Sequence, residues 1–168
     1  MTDVVLRPWR RDDVTALESA RDASLPALAT WTPGMHGDLA DVPAFLDRLV
    51  DAFDRDEFLG FAMTLDAEVV GYCSLKRATS TEAEVGYWVR SDRTGRGIAT
   101  TAIGLLVDFA VAHWPDVDHI VLKCDEANIG SVRVAERNGF VRVSEAVFTP
   151  RNATQSGVEL RWERPLRT

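Results

Sequence analysis

The sequence predicts an α+β, mixed α/β, fold, and three observations carry that expectation. Short apolar runs of strand length recur along the chain, amphipathic helical patterns fall between them, and the two kinds neither alternate strictly nor segregate. Read in order they give strand, two helices, three strands, helix, strand, helix, two strands, a sequence too irregular for a doubly wound sheet. No internal repeat, low-complexity tract or linker divides the 168 residues, so a single domain spanning 1–168 is expected.

Val4 to Trp9 reads as the first strand, and Asp12 and Asp13 signal a short helix carrying Val14, Leu17 and Ala20. The next segment, LPALATWTPGMHGDLAD, is punctuated by Pro26, Pro33, Gly34 and Gly37 and is expected to be irregular. Asp41 is a suitable N-cap for a helix whose apolar residues Val42, Phe45, Leu46, Leu49 and Phe53 recur at helical spacing. Phe58 to Leu65 and Val69 to Lys76 have the spacing of a hairpin around Asp66-Ala67-Glu68, and Glu82 to Arg90 supplies a third strand. Gly97 to Trp114 carries a wide apolar stripe and forms the central helix, which Pro115 stops. His119 to Cys124 follows as a short buried strand. Asn128 caps a helix through Arg137, Gly139 stands where helices end in a left-handed residue, and Phe140 to Phe148 and Val158 to Trp162 complete the set.

Composition narrows the function classes. The chain is 46% hydrophobic and 27% charged, a globular balance, and the uncharged run from Gly97 to Val107 is too short to span a bilayer, so no membrane role is expected. The formal net charge of -7 argues against nonspecific nucleic-acid binding and is compatible with basic or amine substrates. The N-terminal residues lack the apolar core of a secretory signal, and Cys73 and Cys124 read as reduced thiols, which together give a cytoplasmic expectation. His36, His113 and His119 show no ligand spacing, so no metal is expected. Cys124 would need a basic neighbour to act as a covalent acyl acceptor, and the sequence shows none.

The stretch SDRTGRGIATTAI, beginning at Ser91, places glycines directly ahead of a helix, a way to let backbone N–H groups approach an anion. A Walker phosphate loop fails, because Ile98 and Ala99 stand where a lysine and a hydroxyl residue are needed. A dinucleotide fingerprint lacks its third glycine, with Thr100 in that place, and a turn that binds nothing remains open.

The run EVGYWVRSDRTGRGIAT from Glu84, followed by NIGSVRVAERNGF from Asn128, resembles the GNAT superfamily of acyl-CoA-dependent N-acyltransferases, and within it the RimJ/RimL-like branch. The resemblance covers essentially the whole chain. It implies a mostly antiparallel seven-stranded sheet with a V-shaped splay, flanked by about four helices, and acetyl-CoA as co-substrate. The family's loop pattern falls on Thr94, Gly95, Arg96, Gly97, Ile98 and Ala99, with Thr94 replacing the usual Arg or Gln. By the same resemblance a main-chain N–H near Val89 is the oxyanion donor, Glu84 is the base that takes the amine proton through water, and Glu82 on the same strand face is the competing base.

Many relatives carry a tyrosine for the leaving thiolate where this chain has Ala135. The branch instead offers Asn128 and Ser131, both meeting the pantetheine arm, with the Ser131 hydroxyl near the sulfur. Both are equally ordinary as a helix cap and a first-turn residue. Trp31, Pro33, Met35 and His36 lie in the segment that borders the acceptor groove in relatives, a position a hydrophobic plug would also fill. The resemblance implies transfer of an acetyl group to a primary amine, a protein N-terminus or a small molecule, by direct attack in a ternary complex, with a homodimer as an inference from relatives. The alternative is a CoA-sensing or partner-binding module without turnover.

Overall fold

The computed structural model describes residues 3–167. Its centre is a seven-stranded sheet in the order β1-β2-β3-β4-β5-β7-β6. The strands are β1 (Val5–Pro8), β2 (Phe58–Leu65), β3 (Glu68–Arg77), β4 (Glu82–Val89), β5 (His119–Asp125), β6 (Val141–Val147) and β7 (Val158–Pro165). Every neighbouring pair is antiparallel except β4 and β5, which run parallel across the crossover helix. The helices are α1 (Val14–Asp22), α2 (Leu25–Trp31), α3 (Pro33–Asp38), α4 (Val42–Asp54), α5 (Ile98–His113) and α6 (Ile129–Arg137).

Six helices therefore stand where about four were expected, and the difference lies in the segment anticipated to be irregular. Pro26 and Pro33 fall in the first turns of α2 and α3, where a missing N–H costs nothing and the fixed φ favours the helix. The same residues that suggest a loop thus start two short helices. The local signals elsewhere hold: Asp41 accepts from the Ala44 N–H at 3.1 Å, Asn128 accepts from the Ser131 N–H at 3.3 Å, and Gly139 has φ +73. Asp66 and Ala67 both take positive φ in the two-residue turn between β2 and β3. Asp13 sits at the head of α1 without a capping bond, because its carboxylate accepts from the Arg7 guanidinium at 2.7 and 2.8 Å and from the Arg10 N–H.

Two apolar cores form, one on each face of the sheet. On β4 the alternation of side chains sends Ala83 and Val85 into the core under α5, with Ile103, Leu106 and Ile120, and sends Trp88 into the other core with Leu17, Leu28 and Leu46. Helices α4 and α1 lie on β2 and β3 on that second face. Further along the same face, past β4, the sheet carries charge instead: Glu82, His119, Arg161 and Glu163 form one connected network.

Candidate active site

The parallel pair β4–β5 holds register only from Glu82↔His119 to Val85↔Leu122. Beyond that point both strands continue, β4 to Val89 and β5 to Asp125, each still paired to its outer neighbour but no longer to each other. The sheet opens into a wedge. A cavity of about 750 Å³ occupies it, reaching from the N-terminus of α5 past the first turn of α6 to Trp31 on α2.

One wall is the glycine loop. After a single 3-10 turn at Ser91–Arg93, Gly95 has φ +75 and Gly97 has φ +77, a region that only glycine enters cheaply. A Cβ at either would meet nothing within 4 Å, so the demand at these positions is conformational and not steric. Gly97 is the N-cap of α5 and makes no side-chain capping bond, which leaves first-turn amides of the helix without a side-chain partner. The positive end of the helix dipole thus faces the cavity, the arrangement that suits a phosphate. Of the six loop residues singled out in the sequence, Thr94, Gly95, Gly97, Ile98 and Ala99 line the cavity and Arg96 does not. The Ile98 side chain is buried in the core, so only its main chain is presented.

The β4 wall supplies a backbone donor. The Arg90 N–H bonds the Val70 carbonyl of β3 at 2.9 Å, and because successive N–H groups of a strand point to opposite edges, the Val89 and Tyr87 N–H groups face the wedge. On the same strand Glu84 lines the cavity and pairs with Lys123 of β5 at 2.8 Å. Glu82 shares that strand face but lies outside the cavity, where it accepts from Arg161 at 2.6 Å and meets His119 at 3.1 Å. Desolvation pushes the Glu82 carboxyl up, yet the Arg161 guanidinium and His119 together hold it below the usual carboxylate range. The geometry separates two glutamates that the sequence alone could not.

Asn128 and Ser131 of α6 both line the cavity, and the Ser131 Oγ accepts a hydrogen bond from the Tyr87 hydroxyl at 2.8 Å. Ala135 is fully buried in the core. Cys124 also reaches the cavity; burial pushes its thiol up to about 11, which keeps it protonated and a poor nucleophile. Trp31 lines the cavity as anticipated, whereas Pro33, Met35 and His36 do not, and Met35 packs against the second core.

Several lining residues escaped the sequence reading. Arg93, Arg133 and Arg137 all border the cavity, and neither Arg133 nor Arg137 makes an ion pair among the described residues. Their spacing of four on α6 puts them on one helix face, a signal the sequence did contain. The structure also brings Glu82, His119 and Glu163 within metal-binding distance of one another, which sequence spacing did not suggest. Arg161 already occupies that cluster through Glu82 and Glu163, so its carboxylates are matched by a cation without any ion.

Comparison with known proteins adds to this geometry. A family model described as an acetyltransferase (GNAT) domain matches residues 3–141. The ribosomal-protein-serine acetyltransferase of Escherichia coli (strain K12) is 32% identical over 83 residues, 48% of this chain and 46% of the relative. The probable N-acetyltransferase YjcK of Bacillus subtilis (strain 168) is 32% identical over 90 residues, 52% and 49% of the two chains. The match spans about half the length of these curated relatives. Among solved structures, Mycobacterium smegmatis RimJ in complex with CoA-disulfide superposes with a TM-score of 0.83 at 25% identity, over 96% of this chain and 81% of the other. The RimL ribosomal L7/L12 alpha-N-protein acetyltransferase in complex with coenzyme A gives a TM-score of 0.85 at 20% identity, over 98% and 94%, a likeness of fold.

Proposed function

The chain belongs to the acetyltransferase (GNAT) domain family, and from that premise we propose that it transfers an acetyl group from acetyl-CoA to a primary amine, by direct attack in a ternary complex. The observation that carries this reading is the wedge between β4 and β5, with an uncapped helix N-terminus at one end and an open mouth beside Trp31 at the other. The first-turn amides of α5 receive the pyrophosphate, and Arg93, Arg133 and Arg137 supply charge to the phosphates. The pantetheine arm then runs between the parted strands toward Asn128 and Ser131.

The chemistry needs a neutral nitrogen, a donor to the oxyanion and stabilisation of the departing sulfur. The Val89 N–H donates to the carbonyl oxygen as it gains charge. Glu84 takes the amine proton through water, with Lys123 compensating its charge. The acceptor enters from the side of Glu84, Trp31 and Glu159, all on the cavity lining, and the Glu159 carboxylate favours a cationic amine before it is deprotonated. The α-amino group of a protein or peptide N-terminus is the acceptor class we favour, since both the named E. coli relative and the RimL structure are ribosomal-protein acetyltransferases.

The test is a calorimetric titration of acetyl-CoA into the parent and into Arg133→Ala/Arg137→Ala, followed by thiol release in the presence of peptides with N-terminal serine or alanine and of polyamines. Binding in the parent, weakened at least tenfold in the double variant, with thiol release on a peptide, supports the reading. A folded parent that binds no acetyl-CoA ends it, and binding without turnover on any amine favours a CoA-sensing module.

A further inference from the structure

Helix α6 brings no phenol to the departing sulfur, because the position that would carry one is Ala135, buried in the core. A phenol nevertheless reaches the same cavity from the opposite wall. Tyr87 projects from β4, at the splayed end of the strand, and its hydroxyl donates to the Ser131 Oγ at 2.8 Å across the wedge. We propose that Tyr87 is the positioning residue that makes Ser131 the hydrogen-bond donor to the leaving thiolate. The inference rests on the acyl-transfer reading above.

A serine hydroxyl has one hydrogen and two lone pairs, and Tyr87 occupies one of the lone pairs. Among the described residues the Ser131 Oγ has no other hydrogen-bond partner, so its hydrogen is left for whatever occupies the cavity. Burial pushes the Tyr87 phenol well above its ordinary range, so Tyr87 keeps the proton that it donates to Ser131. Asn128 fixes the base of the arrangement by accepting from the Ser131 N–H. A hydroxyl that accepts one hydrogen bond becomes a better donor of the next, so the phenol also strengthens the bond Ser131 makes.

The step balances without proton loss from either hydroxyl. The amine lone pair forms the C–N bond, the tetrahedral intermediate collapses, and the C–S bond breaks with its electron pair remaining on sulfur. Ser131 hydrogen-bonds that thiolate, the amine proton passes through water to Glu84, and sulfur takes a proton from solvent on release. Ser131 touches the reacting atom, and Tyr87 acts through it.

The test reads the bound thiol directly and needs no acceptor. Coenzyme A is titrated onto the parent, Tyr87→Phe, Ser131→Ala and the double variant, and the ultraviolet absorbance of the thiolate is followed against pH. Each single substitution is expected to raise the pKa of the bound thiol by about one pH unit, the size of one hydrogen bond to a charged group. The double variant should raise it no further than Ser131→Ala, because the two residues act in series. Turnover of Tyr87→Phe should drop about tenfold in kcat with the KM for acetyl-CoA unchanged. Incorporation of 3-fluorotyrosine, a stronger donor, covers the case in which Tyr87→Phe does not fold: the chain has two tyrosines, Tyr72 packs in the other core, and the bound thiol pKa should fall. Coenzyme A that binds with the same thiol pKa in parent and variants overturns this inference and leaves the acetyltransferase reading intact. A folded parent that binds no coenzyme A overturns both.

Discussion

The two halves of the sheet are built on different principles. Strands β1 to β3 are covered on both faces, by α1 and α4 on one and α5 on the other, and their stability comes from apolar side chains such as Leu46, Leu75 and Met63, each fully buried. Past β4 only the α5–α6 face has an apolar core; the opposite face is held by Glu82, His119, Arg161 and Glu163, and β6 at the outer edge is exposed along its whole length. The wedge lies at the seam between the two regimes. A sheet with helices on both faces throughout would bury its charged residues at high cost or exclude them; ending one helical layer at β4 leaves that face of the outer strands open.

That contrast can be broken from either side. The largest effect is expected from Leu46→Ala, which empties a fully buried site of the two-sided half and should cost about 2–5 kcal/mol in denaturant unfolding. Next comes Arg161→Ala, which leaves Glu82 largely buried beside no guanidinium; a loss of about 1–2 kcal/mol is expected at pH 6, restored in part by adding Glu82→Gln.

The charged half should also carry the pH dependence, and the direction follows from the two shifts. Glu82 is held below its ordinary 4.5, so its contribution is present above that value and is lost as pH falls through the folded pKa. His119 is raised above 6.5, by Asp118 first and also by Glu82 against desolvation, so its contribution is present below 6.5 and is lost as pH climbs through the folded value. Stability from this network is greatest between about pH 4.5 and 6.5. Replacing His119 with Asn should flatten the alkaline side of a stability profile by less than about 1 kcal/mol and weaken the acid side only in part, because Arg161 still pairs with Glu82. The smallest effect belongs to Val143→Ser on β6, expected within about 0.5 kcal/mol because the residue is half exposed. A large loss there would show that the bare edge is covered in solution.

The sequence is most legible where structure is local. The caps at Asp41 and Asn128, the left-handed Gly139 and the turn at Asp66-Ala67 are each determined by a few adjacent residues. Prolines defeat the same logic at Pro26 and Pro33, because one residue type both breaks a helix and begins one. Within the candidate site the glycine loop and the Asn128–Ser131 pair are readable as motifs. Tyr87 and Ser131 meet from 44 positions apart, and Arg161 reaches Glu82 from 79 apart, so neither pairing has a local signature. The choice between Glu84 and Glu82 turns on which of two residues on one strand face a distant arginine reaches. That information exists only once β7 lies against β5.

The early end of the β4–β5 ladder gives the sheet an internal edge. Strand β4 is fourth of seven, yet the Tyr87 and Val89 amides face an opening. They should exchange with solvent deuterium at rates typical of a rim strand while the Ala83 and Val85 amides, a few residues away, stay protected. The usual hazard of an unpaired strand, capture by another chain, is blunted because this edge lies inside a cleft walled by α5 and α6. Slowed exchange at these two central amides on adding a ligand would therefore report, residue by residue, where along the cleft that ligand sits.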